Sequence, residues 1–452
     1  MTTTSSQAVG AVPHPLVVRT VAIDYPGALL DLLPADTPLA WVRRGDGLVG
    51  WGEVLRVPVS GPDRFAAAER AWNEVLVHAV VRDEVRLPGT GPVAFGSFAF
   101  DEDSPAGGVV VVPRVVVGRR GSSAWLTTID TGATIGPAPS LAAATRRRGR
   151  RGPDAVPAPG EISYTEGALP ADRWRDVVTR CVAAIRAGEL DKVVLARDVY
   201  ALAAEPVDPR WVLGRLAGGY PSCWTFNVDG IFGATPELLV RSEKGLVTSR
   251  VLAGTIRRTG DDAADLTRAA ILAHSSKDLE EHEYAVTSVA DALAPFCSST
   301  NVPDVPFVLH LPNVLHLASD VTGVLRTAAA GRSTGAPATS GARSNPPSSL
   351  SLAAALHPTA AVCGTPTQAA RALIARVEGM ERGRYAGPVG WFGADGDGEW
   401  GIALRCAQVD PDDPRRIRLF AGCGIVSASD PAAELAESEA KLVPMRQALA
   451  SD

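Results

Sequence analysis

The sequence contains no C-x-x-C pair. Its six cysteines, Cys181, Cys223, Cys297, Cys363, Cys406 and Cys423, are scattered singly along the chain, which points to neither a zinc site nor a disulfide framework. A reducing compartment, the cytoplasm, is the expected location. Surplus positive charge is also missing: 44 Lys and Arg against 50 Asp and Glu leave a net charge of −6, so neither nucleic acid nor a membrane surface is expected as a partner. The N-terminus lacks the basic-then-apolar pattern of a secretory leader. The longest valine-rich run, ending at Gly118, is broken by Pro113 and Arg114, too short an apolar stretch for a membrane span. None of the glycine-bearing turns matches a phosphate-binding loop or the dinucleotide fingerprint.

What is present is globular in character. With 46% hydrophobic and 21% charged residues over 452 positions, the chain can bury a large core. Residues 1–12 are small and polar and are expected to be disordered. The stretch 13–145 alternates short valine-rich runs with Gly and Pro turns and carries one helical segment, "PDRFAAAERAWNEVLVHAVV", so it predicts a β-rich subdomain. The segment 146–160, "RRRGRRGPDAVPAPG", predicts an exposed linker. After it, in 161–452, helices alternate with strands, with 328–350 predicted as a flexible insertion because it has almost no large apolar residues. Strands in hairpin-like groups between long helices indicate an α+β fold, large and layered, with mainly antiparallel sheets flanked by helices.

Several residues could carry chemistry. Near the C-terminus "ELAESEAKL" places Glu434, Glu437 and Lys441 on one helical face, and an earlier helix starting near Ser275 carries Asp278, Glu281 and Glu283. Asp278 and Glu281 repeat the i,i+3 spacing of Glu434 and Glu437, and two such pairs could enclose a hard divalent cation. Periodicity does not choose between Glu281 and Glu283 as the inward acid. Lys192 opens an apolar strand, where it either reaches water or, if enclosed, acts as a base. Glu237 in "GATPELLVRS" is either a turn residue or a buried acid that donates a proton. Turns around Gly254, Gly364, Gly387, Gly422 and Gly424 would let backbone N–H groups approach an anion.

Taken in order, "KVVLARDV", "TPELLVRS", "LAGTIRR", "SSKDLEEHEYAV", "LHPTAAVCGTP", "ERGRYAGPVGWF", "IALRCAQV" and "AGCGIVSASDPAAELAESEAKL" resemble the chorismate-utilising enzymes. These are the isochorismate and salicylate synthases and the large chains of anthranilate and aminodeoxychorismate synthases. The resemblance runs from about residue 160 to 445, with a weaker likeness at "FGSFAFD". It implies Mg²⁺ as cofactor, held by Glu281 and Glu437 and completed, partly through water, by Asp278 and Glu434. It implies chorismate as substrate, with Lys441 in contact with it and Arg405 and Tyr385 gripping the enolpyruvyl carboxylate. Gly422 and Gly424 would allow close backbone approach, and Thr255, beside Gly254, would pack against the ring. Lys192 resembles the base that activates water at C2, and Glu237 the acid that protonates the departing C4 hydroxyl. His357 and Ala361 in "LHPTAAVCGTP" resemble the isochorismate synthase form, with Ala361 where ammonia-using and salicylate-forming members tend to have threonine. Ala360 departs from a common proline. The expectation is a monomeric isochorismate synthase; the alternative is a salicylate synthase, which adds pyruvate elimination. Whether the product feeds menaquinone or a siderophore depends on neighbouring enzymes.

Overall fold

The computed structural model describes residues 15–132, 134–146, 156–326 and 346–451. The expected disorder of 1–12 lies outside the described residues, as do most of the 146–160 linker and of the 328–350 insertion. The end of that insertion belongs instead to a helix, Ser349–Leu356, whose start is capped by the Ser348 side chain accepting from the Ser351 N–H.

Among the described residues, 21 strands form one continuously paired set, and every pairing but one is antiparallel. The exception joins Leu16–Ile23 to Val80–Asp83. The set divides into two branches at the strand Gly108–Arg120. One of its edges pairs along its length with Asp46–Val59. On the other edge, the first residues pair with Val93–Phe98 and the last with Ser123–Thr131.

The first branch continues through Leu39–Arg43 to Trp224–Val228, Ile231–Thr235, Cys406–Val409, Arg416–Ile425 and Lys192–Ala203. The second runs from Val93–Phe98 through Pro388–Gly393, Gly398–Ile402, Leu238–Glu243, Leu246–Arg257 and Val314–Leu325. The N-terminal β-rich stretch therefore pairs directly with strands from the second half of the chain.

Side-chain alternation along strands gives the first branch two buried faces. In Leu39–Arg43, Leu39 and Trp41 enter one core while Ala40 and Val42 enter another. The first core lies between the branches and draws residues from the whole chain, for example Phe95, Trp174, Val193 and Trp400. The second is covered by Pro209–Gly219 and by the C-terminal helix Pro431–Leu449, through Leu213, Leu216, Leu442 and Met445. That C-terminal helix starts as its sequence predicts, with the Asp430 carboxylate accepting from the Ala432 and Ala433 N–H groups, a cap worth about 1 kcal/mol.

The helix Ser276–Leu293 packs its Ala285, Val286 and Val289 side against the second branch. No helix among the described residues is long and apolar enough to cross a membrane.

Candidate active site

Five elements converge at one cavity: the starts of Lys192–Ala203 and Ser276–Leu293, the middle of Pro431–Leu449, and the ends of Leu246–Arg257 and Arg416–Ile425. It spans about 670 Å³ of non-atom space, part of it open to solvent. Glu237, Gly254, Thr255, Glu281, Ala361 and Tyr385 line it, as do Arg405, Gly422, Gly424 and Lys441. Ten of the residues singled out in the sequence are thus brought together.

Lys192 is fully buried, with Nζ 3.3 Å from Glu281 Oε1 and 3.5 Å from the Glu281 carbonyl. It does not line the cavity itself but stands behind Glu281 and Gly424, which do. The enclosure follows from its strand, whose neighbour Arg416–Ile425 pairs with it over ten residues and sets Gly424 opposite Val194 and Gly422 opposite Ala196. Both glycines are needed there: a Cβ at Gly424 would collide with the Glu281 carboxylate, and one at Gly422 with the Leu195 carbonyl. Gly254 has φ +80° and sits so near the Ser276–Leu293 helix that a Cβ would come 2.9 Å from Asp278 Cβ. This close approach brings the first turn of that helix to the cavity.

Glu237 is 4% exposed and follows Pro236 in the break between two strands. Burial pushes its carboxyl up to about 8, against the opposing pull of Lys192 and Lys441, so it carries a proton near neutrality. Burial also pushes Glu281 up, but Lys192, Lys441 and Lys277 together hold it below the usual carboxylate range. Two carboxyls in one cavity are therefore driven to opposite protonation states.

Arg405 interrupts what the sequence reads as one strand, "EWGIALRCAQV". The structure has Gly398–Ile402 and Cys406–Val409 with Arg405 between them at φ +47°, a conformation costly for any residue with a Cβ and held by its surroundings. The break turns the guanidinium into the cavity, where Nη2 donates to His316 Nε2 at 3.0 Å. A guanidinium only donates, so His316 carries its proton on Nδ1 and gives it to Thr255 Oγ1, also at 3.0 Å. Burial, then Arg405, keeps His316 well below its ordinary pKa, consistent with this neutral tautomer. Tyr385 stacks on Phe420 with ring centroids 4.8 Å apart.

The acidic residues resolve as follows. Glu281 faces the cavity while Glu283 is exposed; His282 between them bonds Ala253 O and Ser319 Oγ on the sheet. Glu434, Glu437 and Cys423 offer ligand atoms within 4.8 Å of one another. Burial, then Glu437, pushes the Glu434 carboxyl upward, so this pair favours a nearby cation. The Cys423 thiol donates to the Glu434 carbonyl, and burial holds it protonated, leaving the carboxylates as donors. Oxygen donors of this kind fit a hard divalent cation. Asp278 and Glu281 lie outside that tight group; Lys192 holds Glu281, and Asp278 stands beside Gly254.

One expectation is corrected. His357 is not brought to the cavity. Its Nε2 donates to Phe100 O at 2.9 Å, and the ring packs edge-on to Phe100. The reason is its position as the residue ending Ser349–Leu356, where it ties that helix to the N-terminal strands while Ala361, four residues on, reaches the cavity. Sequence reasoning also missed His316, Arg382 and Lys277. Arg382 lines the cavity and is fixed by Glu378 at 2.9 Å and by the Val194 and Val362 carbonyls. It lies within the quoted "ERGRYAGP", where a second arginine before the tyrosine was an available signal.

Comparison with known proteins shows the family. The description "chorismate binding enzyme" matches residues 34–447. The chain is 37% identical over 304 residues to an isochorismate synthase of Bacillus subtilis, covering 65% of this chain and 71% of that one. It is 36% identical over 373 residues to a putative isochorismate synthase of Mycobacterium tuberculosis, covering 80% and 87%. The structure of the menaquinone-specific isochorismate synthase from Escherichia coli superposes with a TM-score of 0.75 at 25% identity, over 98% of this chain and 97% of that one.

Proposed function

From the premise that the chain belongs to the chorismate-binding enzymes, we propose that it is an isochorismate synthase, which moves a hydroxyl of chorismate from C4 to C2 with Mg²⁺ as cofactor. The observation that carries this reading is Glu237, enclosed and protonated near neutrality in a cavity that also adjoins the buried Lys192. An acid and a candidate base in one small site are what a hydroxyl exchange requires.

In the proposed mechanism Arg405, held by His316, and Tyr385 grip the enolpyruvyl carboxylate, the guanidinium being suited to a bidentate contact. Lys192 removes a proton from a water molecule as its oxygen bonds to C2. Both ring double bonds shift, C1=C2 to C1=C6 and C5=C6 to C4=C5, the C4–O bond breaks, and Glu237 gives its proton to the departing hydroxyl, which leaves as water. Proton exchange with solvent resets both groups. Glu281 and Glu437 would hold Mg²⁺, with Asp278 and Glu434 around them, and the bound cation would neutralise the ring carboxylate and the charge that builds there. Ala361 offers no hydroxyl in the cavity wall, which suits water rather than ammonia as nucleophile.

The test is to incubate the purified protein with chorismate, with and without Mg²⁺, and identify products by chromatography. Isochorismate formed only with metal is expected. Salicylate and pyruvate as the products, or anthranilate formed when ammonia is supplied, would overturn the assignment.

A further inference from the structure

Three of the four carboxylates that would surround the cation are each matched to a lysine. Lys192 lies against Glu281 at 3.3 Å, Lys441 against Glu437 at 2.7 Å and Lys277 against Glu434 at 2.8 Å. The mechanism uses Lys192, and the family resemblance sets Lys441 against the substrate, which leaves Lys277 without a role. Lys277 also stands out in its position: it is in the first turn of Ser276–Leu293, where a positive charge opposes the helix dipole. What holds it there is the acidic cluster, for Glu434 is 1% exposed, and Glu437 and Glu281 add to the attraction. The Lys277 side chain is 29% exposed, against 16% for Lys441 and 0% for Lys192, so of the three it is the one best placed to reach water.

We propose that Lys277 is a displaceable internal counter-cation, whose ammonium holds the Glu434 carboxylate until a divalent cation takes the cluster and which then swings into solvent. Charge favours the exchange: Glu434 and Glu437 lie close enough to share one ion, and a divalent ion sets twice the charge of the Lys277 ammonium against them. Lys277 thereby keeps the buried carboxylates from repelling one another in the metal-free protein, and it weakens metal affinity by competing for the same oxygen.

The inference rests on the Mg²⁺ reading above, and calorimetric titration of Mg²⁺ without chorismate separates the two. Wild-type protein is expected to bind. Lys277→Met, which keeps the apolar stem, is expected to bind Mg²⁺ more tightly by on the order of three- to tenfold, the size of a partly exposed ion pair, and to melt at a lower temperature than wild type when metal-free. Equal or weaker binding by the folded variant would overturn the inference and leave the metal reading standing. No binding by wild type would overturn both. A second measurement uses wild type alone: acetylation of Lys277, followed by mass spectrometry, is expected to be faster with Mg²⁺ than without, and an unchanged rate contradicts displacement.

Discussion

Lys192→Ala is expected to lose on the order of 10²–10⁴-fold in kcat, the usual contribution of a positioned acid or base, with KM for chorismate changed by only a few-fold. The side chain is wholly buried and touches no other acid than Glu281, so it has no surface role to lose. The variant also removes the counter-cation of Glu281, which could disturb the metal site on its own. Two readouts separate these effects. If Lys192 is the base, Mg²⁺ binding survives and small primary amines added to the variant restore part of the rate, because they fill the space left by the lysine head. A variant that has lost Mg²⁺ affinity and gains nothing from amines would make Lys192 a support for Glu281 and not the base.

Glu237→Gln is expected to cost a similar factor, on the order of 10²–10⁴ in kcat, because the amide keeps the volume and has no acidic proton to give. The wild-type enzyme should also show its acid in the pH profile. Burial raises the Glu237 carboxyl to about 8, so kcat/KM should fall as pH rises through about 8 and the proton is lost.

The same shift bears on stability. Between the ordinary carboxyl value of 4.5 and about 8, the folded protein holds a proton that the unfolded chain has released. Stability from this group therefore decreases as pH rises across that window. Glu237→Gln should abolish that dependence while leaving the fold intact. A basic limb that persists unchanged in the residual activity of Glu237→Gln would assign it to another group.

The elements that the sequence made legible are those set by local rules. The apolar spacing of "DRWRDVVTRCVAAIR" gave the helix Ala171–Arg186, and Asp430 followed by Pro431 marked the start of the last helix. Strands rich in β-branched residues, such as Lys192–Ala203, were equally clear. The rest depended on contacts distant in sequence. Nothing local announces that "EWGIALRCAQV" breaks at Arg405, since the positive φ there is sustained by the cavity and by His316. Glu281 and Glu283 sit one residue to either side of His282, which faces the sheet, and only the position of the cavity on one side of the helix makes Glu281 the inward acid. His357 lay in a stretch that resembled the family, yet its ring answers to Phe100, 257 residues away in sequence. His316 looked like one more residue in an apolar strand, and its function as the acceptor that aims Arg405 emerges only when strands from two parts of the chain meet.

The most direct test of the proposed hydroxyl exchange is to run the reaction with Mg²⁺ in ¹⁸O-labelled water and analyse the isochorismate by mass spectrometry at low conversion. One solvent oxygen in the product, located at the C2 hydroxyl, is the expected result, because the water activated by Lys192 is the source of that hydroxyl and the original C4 oxygen departs with the proton of Glu237. Unlabelled isochorismate would mean that the substrate's own hydroxyl is transferred, and would contradict the division of labour between these two residues.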